Sequence, residues 1–431
     1  MNPVSRFFGR LTMRPQGVTL VSAAFLPIFA IVSMFPIVAS MIQHFATDPD
    51  AAAKVPLMVT APGLTVAVLA PFAGFFVDKF GRRRLLLGCT FFYGLFGTAP
   101  FFLDDLDQIF ATRLMLGVCE AGILTIVNTL IADYWEDTGR RDWLFVQGVV
   151  GPFLASGVIL LSGTVASLRW NGGFLVYLVA FPIFFAMLTF MFEPKRAQMA
   201  KVQAETPTAG ISAFPIAAAA TVALVTLFSS ALYYVFIVNG SIAFGEVGVR
   251  DPGAVGRMSF LPSLFVIPGA LLFRILSGRA NAVQLATFFG IIGTGLAVIG
   301  LARTPGEMVV GLCIQQTAAG MAVPMLVAWA QTKFPFEHRG RGMGIWTGAF
   351  FFGQFSSPWL VHQMNLATGT MQGGLRRERM RGAGRHGGGG RRRLARQPGG
   401  AAHGLNLSSL RAERSNPDGT VPPWIASLRS Q

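Results

Sequence analysis

Long apolar segments alternate with short polar ones along this 431-residue chain. Eleven apolar segments are long enough to cross a bilayer as helices, which takes roughly 20 residues per crossing. They lie at 18–42, 55–77, 85–103, 109–133, 144–167, 172–192, 213–238, 258–276, 283–302, 307–331 and 343–366. Helices are expected because hydrocarbon offers no partner to backbone N–H and C=O groups. The pattern therefore predicts an all-α membrane protein with eleven spans, numbered here in chain order.

A polar segment divides these spans into two groups. Residues 193–212 contain Pro, Lys and Thr and follow the sixth span, which predicts a linker between two helical bundles. The predicted domains are a cytoplasmic N-terminus, a six-helix bundle, a cytoplasmic linker, a five-helix bundle and a disordered Arg/Gly-rich tail, at 1–17, 18–192, 193–212, 213–366 and 367–431.

The two bundles share a weak internal repeat. The pair Gly81-Arg82 recurs as Gly278-Arg279, 197 residues later, and a Phe-Phe pair recurs at the same offset. Several matches at nearly one offset indicate two related six-helix units.

The amino-acid composition also agrees with a membrane protein. Hydrophobic residues make up 52% of the chain and charged residues 13%, against about 25% charged in an average soluble domain. All three cysteines fall inside predicted spans, so no disulfide framework is expected. The first apolar segment is a full span rather than a short cleavable signal peptide.

The distribution of basic residues predicts the orientation. With the N-terminus inside, seventeen Lys and Arg residues fall in loops on the inner side and five on the outer side. Basic loops stay on the cytoplasmic side of membrane proteins. We therefore expect a multi-pass protein of the cell inner (plasma) membrane with a cytoplasmic N-terminus.

The C-terminal segment breaks the pattern. The repeat offset predicts a twelfth span near 372–392, but the sequence there is rich in Arg and Gly, and each Arg costs roughly 2.5–3.5 kcal/mol at a span centre. Residues 375–431 hold 12 Arg and 3 acids, or 12 − 3 = +9 of the net charge of +15. Translation in a shifted reading frame explains this better than a genuine basic tail, which stays open as the alternative.

The loop between the second and third spans carries the most specific motif. Residues 74–84 follow the spacing G-x-x-x-D-(K/R)-x-G-R-R between two uncharged segments. This resembles the loop signature of the major facilitator superfamily of transporters. The resemblance implies a fold of two six-helix repeats, here with the twelfth helix lost, and transport by alternating access. It also implies a gating role for the signature residues Gly74, Asp78, Gly81, Arg82 and Arg83.

Asp78 is the acid of this signature. The resemblance implies that Asp78 ties the second span to a helix of the other half when the transporter is open to the outside. The alternative is a surface carboxylate paired with a neighbouring arginine. Ile275 occupies the equivalent position of the second half, so the gate is incomplete there.

The fourth span contains the strongest candidates for chemistry. Arg113 is followed four residues later by Gly117, which resembles the second signature of the superfamily. Glu120 lies two helical turns beyond Arg113, on nearly the same face. A carboxylate deep inside a span is expensive unless it contacts a cavity or a partner. Glu120 is therefore a candidate for proton or substrate contact, and the alternative for it is a structural polar contact. For Arg113, the alternative is a position at the lipid interface.

Other polar and small residues at membrane depth extend this set. Asn128, Gln147, Gln315 and Gln316, together with Arg113 and Glu120, are the predicted proton or substrate pathway, with interhelical hydrogen bonding as the alternative. In the fifth span, Gly148, Gly151 and Pro152 resemble the antiporter signature G-P-x-x-G-G, with Ala155-Ser156 in place of the paired glycines. Ordinary helix packing explains these small residues equally well.

These features predict a function but no substrate. The five histidines lack metal-ligand spacing and no phosphate-binding loop is present, so we expect neither metal, cofactor nor catalytic residue, and no enzyme. The expected partners are a small-molecule substrate, protons and lipid, with no nucleic acid and a monomeric chain. The resemblance is closest to drug-efflux-like proton antiporters, which implies proton-coupled efflux. Uptake or uniport by the same fold and an inactive frameshifted product are alternatives, and a polytopic membrane enzyme or receptor is a weaker one.

Overall fold

The computed structural model of the chain describes residues 14–135, 137–193, 213–335 and 338–368. Within these ranges the chain is helical and contains no β-strand. The predicted linker from residue 194 onward and the predicted tail from residue 369 onward lie outside the described residues.

The helices of the first half follow the predicted spans and overrun most of their edges. Their bounds, with the pieces of each span together, are Arg14–Ala24, Leu26–Val32 and Val38–His44 for span 1, Ala51–Phe80 for span 2, Arg82–Thr98 for span 3, Leu106–Tyr134 for span 4, Asp137–Leu168 for span 5, and Gly172–Val179 and Ala180–Phe190 for span 6. Spans 3 and 6 each include a 3₁₀ segment, Ala99–Phe102 and Gly172–Val179.

The residues that the structure describes after the linker form five spans. Their bounds are Ile216–Glu246 for span 7, Pro252–Ser263 and Val266–Leu276 for span 8, Asn281–Leu301 for span 9, Pro305–Lys333 for span 10 and Arg339–Thr368 for span 11. Among the described residues, ten helical segments are long and apolar enough to cross a membrane, corresponding to spans 1 to 10. Span 11 is longer than most of these but more polar, and it packs between spans 2 and 7, where less of its surface meets lipid.

Consecutive spans run in opposite directions, which defines two sides of the molecule. The ends near His44, Phe102, Leu168, Glu246 and Leu301 form one side, called here the His44 side. The ends near Gly81, Tyr134, Phe190, Leu276 and Lys333 form the other, called the Gly81 side.

Span 1 is interrupted in its middle, at Ser33–Ile37. Pro36 has no N–H, and the chain forms turns there instead of a continuous helix. The interruption frees the carbonyls of Ala30 and Ser33 from helical hydrogen bonds. Tyr177 Oη donates to Ala30 O at 2.8 Å and Ser162 Oγ donates to Ser33 O. Spans 5 and 6 thus supply the donors that hydrocarbon cannot.

The two halves meet from mid-membrane to the His44 side. Ala39 N donates to Ser241 Oγ at 3.1 Å, which joins spans 1 and 7. In the same pair of spans, the rings of Phe35 and Phe236 lie 5.6 Å apart. These contacts close the molecule toward the His44 side.

Spans 5 and 8 form a second part of this contact. Ser156 Oγ and Ser263 Oγ share a hydrogen bond of 2.5 Å. Nearer the His44 side, a Cβ atom on Gly163 would lie 2.5 Å from the Pro252 carbonyl oxygen. Such close backbone approach is possible because the residues at this contact are small.

Candidate functional site

The loop between spans 2 and 3 turns at Gly81. This residue has φ +82°, a conformation that glycine adopts readily and L-residues rarely do. The turn presents the first N–H groups of span 3 to the carboxylate of Glu193. Arg82 N donates to Glu193 Oε1 at 2.7 Å and Arg83 N donates to Glu193 Oε2 at 2.9 Å. Glu193 therefore caps span 3 from the end of span 6.

The arginine side chains of this loop reach two further spans. The Arg82 guanidinium forms an ion pair with Asp133 at the end of span 4. Arg83 donates from Nε to Met191 O at 2.8 Å and from Nη2 to Leu188 O at 3.0 Å. The signature loop thus ties spans 3, 4 and 6 together on the Gly81 side.

Two acids of this cluster were not predicted as site residues. In the sequence, Glu193 directly follows an apolar span and Asp133 ends one, and neither feature by itself indicates a contact with another span. Gly74 and Asp78 are in the last two turns of span 2. The side chain of Asp78 lies outside the part of the chain that the structure describes, so its gating role stays a prediction.

Arg113 lies inside the first half and not at the lipid interface. Its side chain is 1% exposed. Nη1 donates to Tyr177 Oη at 2.9 Å, and Nη2 donates to the carbonyl oxygens of Phe96 and Gly97 at 3.2 and 3.0 Å. The guanidinium also lies over the ring of Phe174, 5.1 Å from its centroid. Because Tyr177 in turn donates to Ala30 O, Arg113 connects spans 1, 3, 4 and 6.

Glu120 is buried without a hydrogen-bond partner. Its side chain is 3% exposed, and Oε1 has no partner among the described residues. Glu120 lies near the middle of the helix Leu106–Tyr134, two helical turns after Arg113, and therefore in the interior of the first half.

The second half offers an aromatic surface on its spans 7 and 11. The ring of Phe350 lies 6.2 Å from that of Tyr233, 5.8 Å from that of Tyr234 and 5.3 Å from that of Trp346. Gln315 joins this group because its Nε2 donates to Tyr233 O at 3.2 Å. Its Oε1 is buried with no partner among the described residues, as are Gln354 Oε1 and Trp346 Nε1.

The remaining predicted pathway residues differ in how far their side chains are buried in the protein. Asn128 is exposed, and its Nδ2 donates to Leu124 O of its own helix at 2.9 Å. Gln147 and Gln316 are half-buried. The structure brings Arg113 and Glu120 together in the interior of the first half and leaves Asn128 at the surface.

The small residues of span 5 are in contact with two other spans. A Cβ atom on Gly151 would lie 2.7 Å from a ring carbon of Phe25 in span 1, whereas Gly148 has open space around it. Pro152 lies inside the helix, and its carbonyl accepts a hydrogen bond of 2.7 Å from Ser156 Oγ. Ser156, which replaces a signature glycine, also binds Ser263 of span 8.

Comparison with known proteins identifies the family. The family model "Major Facilitator Superfamily" matches residues 20–358. The chain is 26% identical over 309 residues to the 3-(3-hydroxy-phenyl)propionate transporter of Escherichia coli (strain K12), covering 69% of this chain and 74% of that protein. It is 22% identical over 328 residues to the class D tetracycline resistance protein of Salmonella ordonez, covering 72% of this chain and 80% of that one.

A solved structure agrees with this at the level of the fold. The inward-facing, unoccupied bacterial homolog of the human lysosomal transporter Spinster superimposes with a TM-score of 0.64 at 16% identity, over 86% of this chain and 85% of that one. The predicted fold of two helical repeats is confirmed, and so is the prediction that the chain is a transporter and not an enzyme. The chain belongs to the Major Facilitator Superfamily of membrane transporters.

Proposed function

We propose that this transporter exports a small molecule in exchange for protons and that Glu120 carries the proton. The observation behind this proposal is that Glu120 is 3% exposed and that its Oε1 has no hydrogen-bond partner in the part of the chain that the structure describes. An ionised carboxylate is costly in such a place unless a cation or a donor accompanies it. The Glu120 carboxylate can therefore bind either a proton or a group of the substrate. Exchange of one for the other at this residue would couple their movements.

Arg113 is compatible with this role because it does not bind the Glu120 carboxylate. Its guanidinium donates to Tyr177 and to two backbone carbonyls, and it makes no ion pair with Glu120 among the described contacts. A fixed positive charge thus lies two helical turns away from Glu120 without forming a salt bridge with the carboxylate. The carboxylate stays available to a proton or a substrate.

The aromatic surface of spans 7 and 11 is the proposed substrate wall. Tyr233, Tyr234, Phe350 and Trp346 form a cluster of rings, and Gln315 and Gln354 each have a buried oxygen without a partner among the described residues. Flat apolar molecules that carry hydrogen-bond donors suit such a wall. The relatives named for a hydroxyphenyl acid and for tetracycline resistance support a ring-containing substrate, and the resistance protein supports export.

The two halves would move alternately around this region. The conformer described here is closed toward the His44 side by the contacts of spans 1 and 7 and of spans 5 and 8. We place the Gly81 side in the cytoplasm because basic residues are concentrated there, and the whole chain in the inner (plasma) membrane as a monomer. Opening on the His44 side would then release the substrate outward.

Replacement of Glu120 tests the proton coupling. In proteoliposomes with an imposed pH gradient, the unaltered chain should accumulate radiolabelled tetracycline or 3-(3-hydroxyphenyl)propionate. Glu120→Gln keeps the size of the side chain but cannot release a proton, so gradient-driven accumulation should fall at least tenfold. Exchange of labelled for unlabelled substrate without a gradient should continue.

Gln108→Ala is the matched control, because Gln108 is an exposed polar residue of the same span, is not among the predicted pathway residues and should not affect accumulation. Normal gradient-driven accumulation by Glu120→Gln would show that Glu120 is a structural contact. Transport of either compound down its own gradient, unaffected by pH, would favour uniport.

A further inference from the structure

A cavity of about 320 Å³ opens on the His44 side, away from Glu120 and the proposed substrate wall. It lies where the ends of spans 1 and 5 and the connection between spans 5 and 6 face Arg250 and the first residue of span 8. Its lining residues are Ser40, Gln43, His44, Ala166, Ser167, Leu168, Arg169, Trp170, Arg250 and Pro252. The volume is at the lower end of the range for small-ligand sites, so a ligand with a single ring would fit.

The lining is positively charged. Arg169 and Arg250 both line the cavity, and no acidic residue is among the lining residues that the structure describes. The Arg250 side chain makes no hydrogen bond or ion pair with the described residues. Arg169 lies over the ring of Phe101, 4.7 Å from its centroid, a contact that leaves the guanidinium N–H groups free for an anion.

Two acids beside lining residues of this cavity have polar contacts of their own. Asp104 lies 4.0 Å from His44 Nε2. Asp251 accepts a hydrogen bond of 2.8 Å from Ala254 N and lies 3.6 Å from Arg257. Two arginines without carboxylate partners are therefore left facing one small cavity, an arrangement that suits a carboxylate.

One wall of the cavity is aromatic. The rings of His44 and Trp170 are stacked, with centroids 4.2 Å apart and an interplanar angle of 16°. Phe45 packs edge-on against Trp170 at 5.2 Å. This packing holds the indole in place beside the arginines, so an aromatic ring on the ligand would have a fixed surface to contact.

Both halves of the transporter build this cavity. His44, Arg169 and Trp170 belong to the first half, whereas Arg250 and Pro252 belong to the second. The halves are held together nearby by Gly163 against the Pro252 carbonyl. Separation of the halves on the His44 side would move Arg250 away from Arg169, and the site would come apart.

We propose that this cavity binds small aromatic carboxylates, and that it does so only while the transporter is closed on the His44 side. The second part rests on the alternating access of the proposed function, and the first part does not. A ligand that binds one of two conformers shifts the population toward it. Binding here would therefore hold the transporter closed on this side and slow its turnover.

Benzoate is the probe for the first part. Titration of the purified full-length chain with benzoate should give saturable binding by calorimetry, whereas benzylamine and benzyl alcohol should not bind in the same concentration range. Arg250→Gln and Arg169→Gln should each weaken benzoate binding at least tenfold. Arg303→Gln is the matched control, since Arg303 is an exposed arginine of the same side that does not line the cavity.

Unchanged benzoate binding in Arg250→Gln would overturn the proposal, since benzoate would then occupy another site, such as the substrate wall. Absence of benzoate binding by the unaltered chain would overturn it as well. Glu120→Gln should bind benzoate normally. Loss of proton coupling and loss of this site are therefore separate results.

A disulfide across spans 5 and 8 tests the second part. Ser156→Cys and Ser263→Cys place two thiols where two hydroxyls now lie 2.5 Å apart, in a background whose native cysteines are replaced. Oxidation should stop transport and leave benzoate binding intact or tighter than in the reduced form. A closed, cross-linked protein that no longer binds benzoate would contradict the proposal.

Discussion

Single glycines decide whether spans 8 and 10 can pack as closely as they do. A methyl group on Gly269 would overlap the carbonyl oxygen of Thr317, and one on Gly320 would overlap that of Val266. Both obstacles are backbone atoms, which cannot move aside as a flexible side chain can. The two helices therefore require glycine at both positions.

Gly320→Ala should destabilise the second half by about 1–3 kcal/mol, the usual cost of forcing an extra carbon into a packed contact. A lower apparent Tm of the purified protein in detergent would report this. Gly290→Ala in span 9 is the control, because a Cβ atom there meets nothing within 4 Å. Equal Tm values for the two variants would mean that spans 8 and 10 can separate without penalty.

Among single residues, the sequence indicated charged residues within apolar spans, whose burial costs much free energy. It did not indicate acids at the ends of spans, where exposure to water costs nothing. Arg113 and Glu120 were predicted because charges are rare and costly within an apolar span. Glu193 and Asp133 were not, since an acid at the end of a span looks the same whether it faces water or caps a neighbouring helix. Only the fold brings them to Gly81 and Arg82.

The N-terminal end of span 3 is stabilised by a residue at the end of span 6. Its first two N–H groups are bound by the carboxylate of Glu193, at 2.7 and 2.9 Å. A negative charge at this end also complements the helix dipole. Span 6 therefore stabilises the start of span 3 across more than a hundred residues of sequence.

Glu193→Gln should weaken this cap by about 1 kcal/mol, the typical value of a helix N-cap. Glutamine has one oxygen where glutamate has two, so one of the two N–H groups loses its acceptor and the charge is lost. Thermal unfolding of the purified protein would show a lower apparent Tm. Asp104→Asn, at a highly exposed acid on the His44 side, should leave the Tm unchanged.

Among the elements, hydropathy predicted the spans but not their interruptions. Each of the eleven apolar segments corresponds to a helix of the described residues, because the requirement for apolar residues acts along the whole of a span. Span 11 is more polar than the other ten. The turns at Ser33–Ile37 and the 3₁₀ segment Gly172–Val179 depend on donors and close contacts from other spans. Pro36 was the one local signal for the first of them.

At the scale of the whole molecule, orientation is the property on which the direction of transport depends. Seventeen basic loop residues on one side against five on the other predict that the Gly81 side and the linker are cytoplasmic. Export then means release at the His44 side. The same fold in the opposite orientation would be an importer.

Lys201→Cys in a background without native cysteines tests this orientation. A membrane-impermeant thiol reagent should not label the variant in intact cells and should label it after permeabilisation. Asp104→Cys on the His44 side should be labelled in intact cells. The reverse result would place the linker outside and change export to uptake.

The interruption of span 1 has a consequence for the order in which the protein is made. Its freed carbonyls at Ser33 and Ala30 receive their donors from Ser162 and Tyr177, 129 and 147 residues later in the chain. A ribosome adds residues from the N-terminus onward, so span 1 enters the membrane before these hydroxyls exist. Its final shape has to wait for spans 5 and 6. The first half of the transporter is thus completed during biosynthesis only when its last helix arrives.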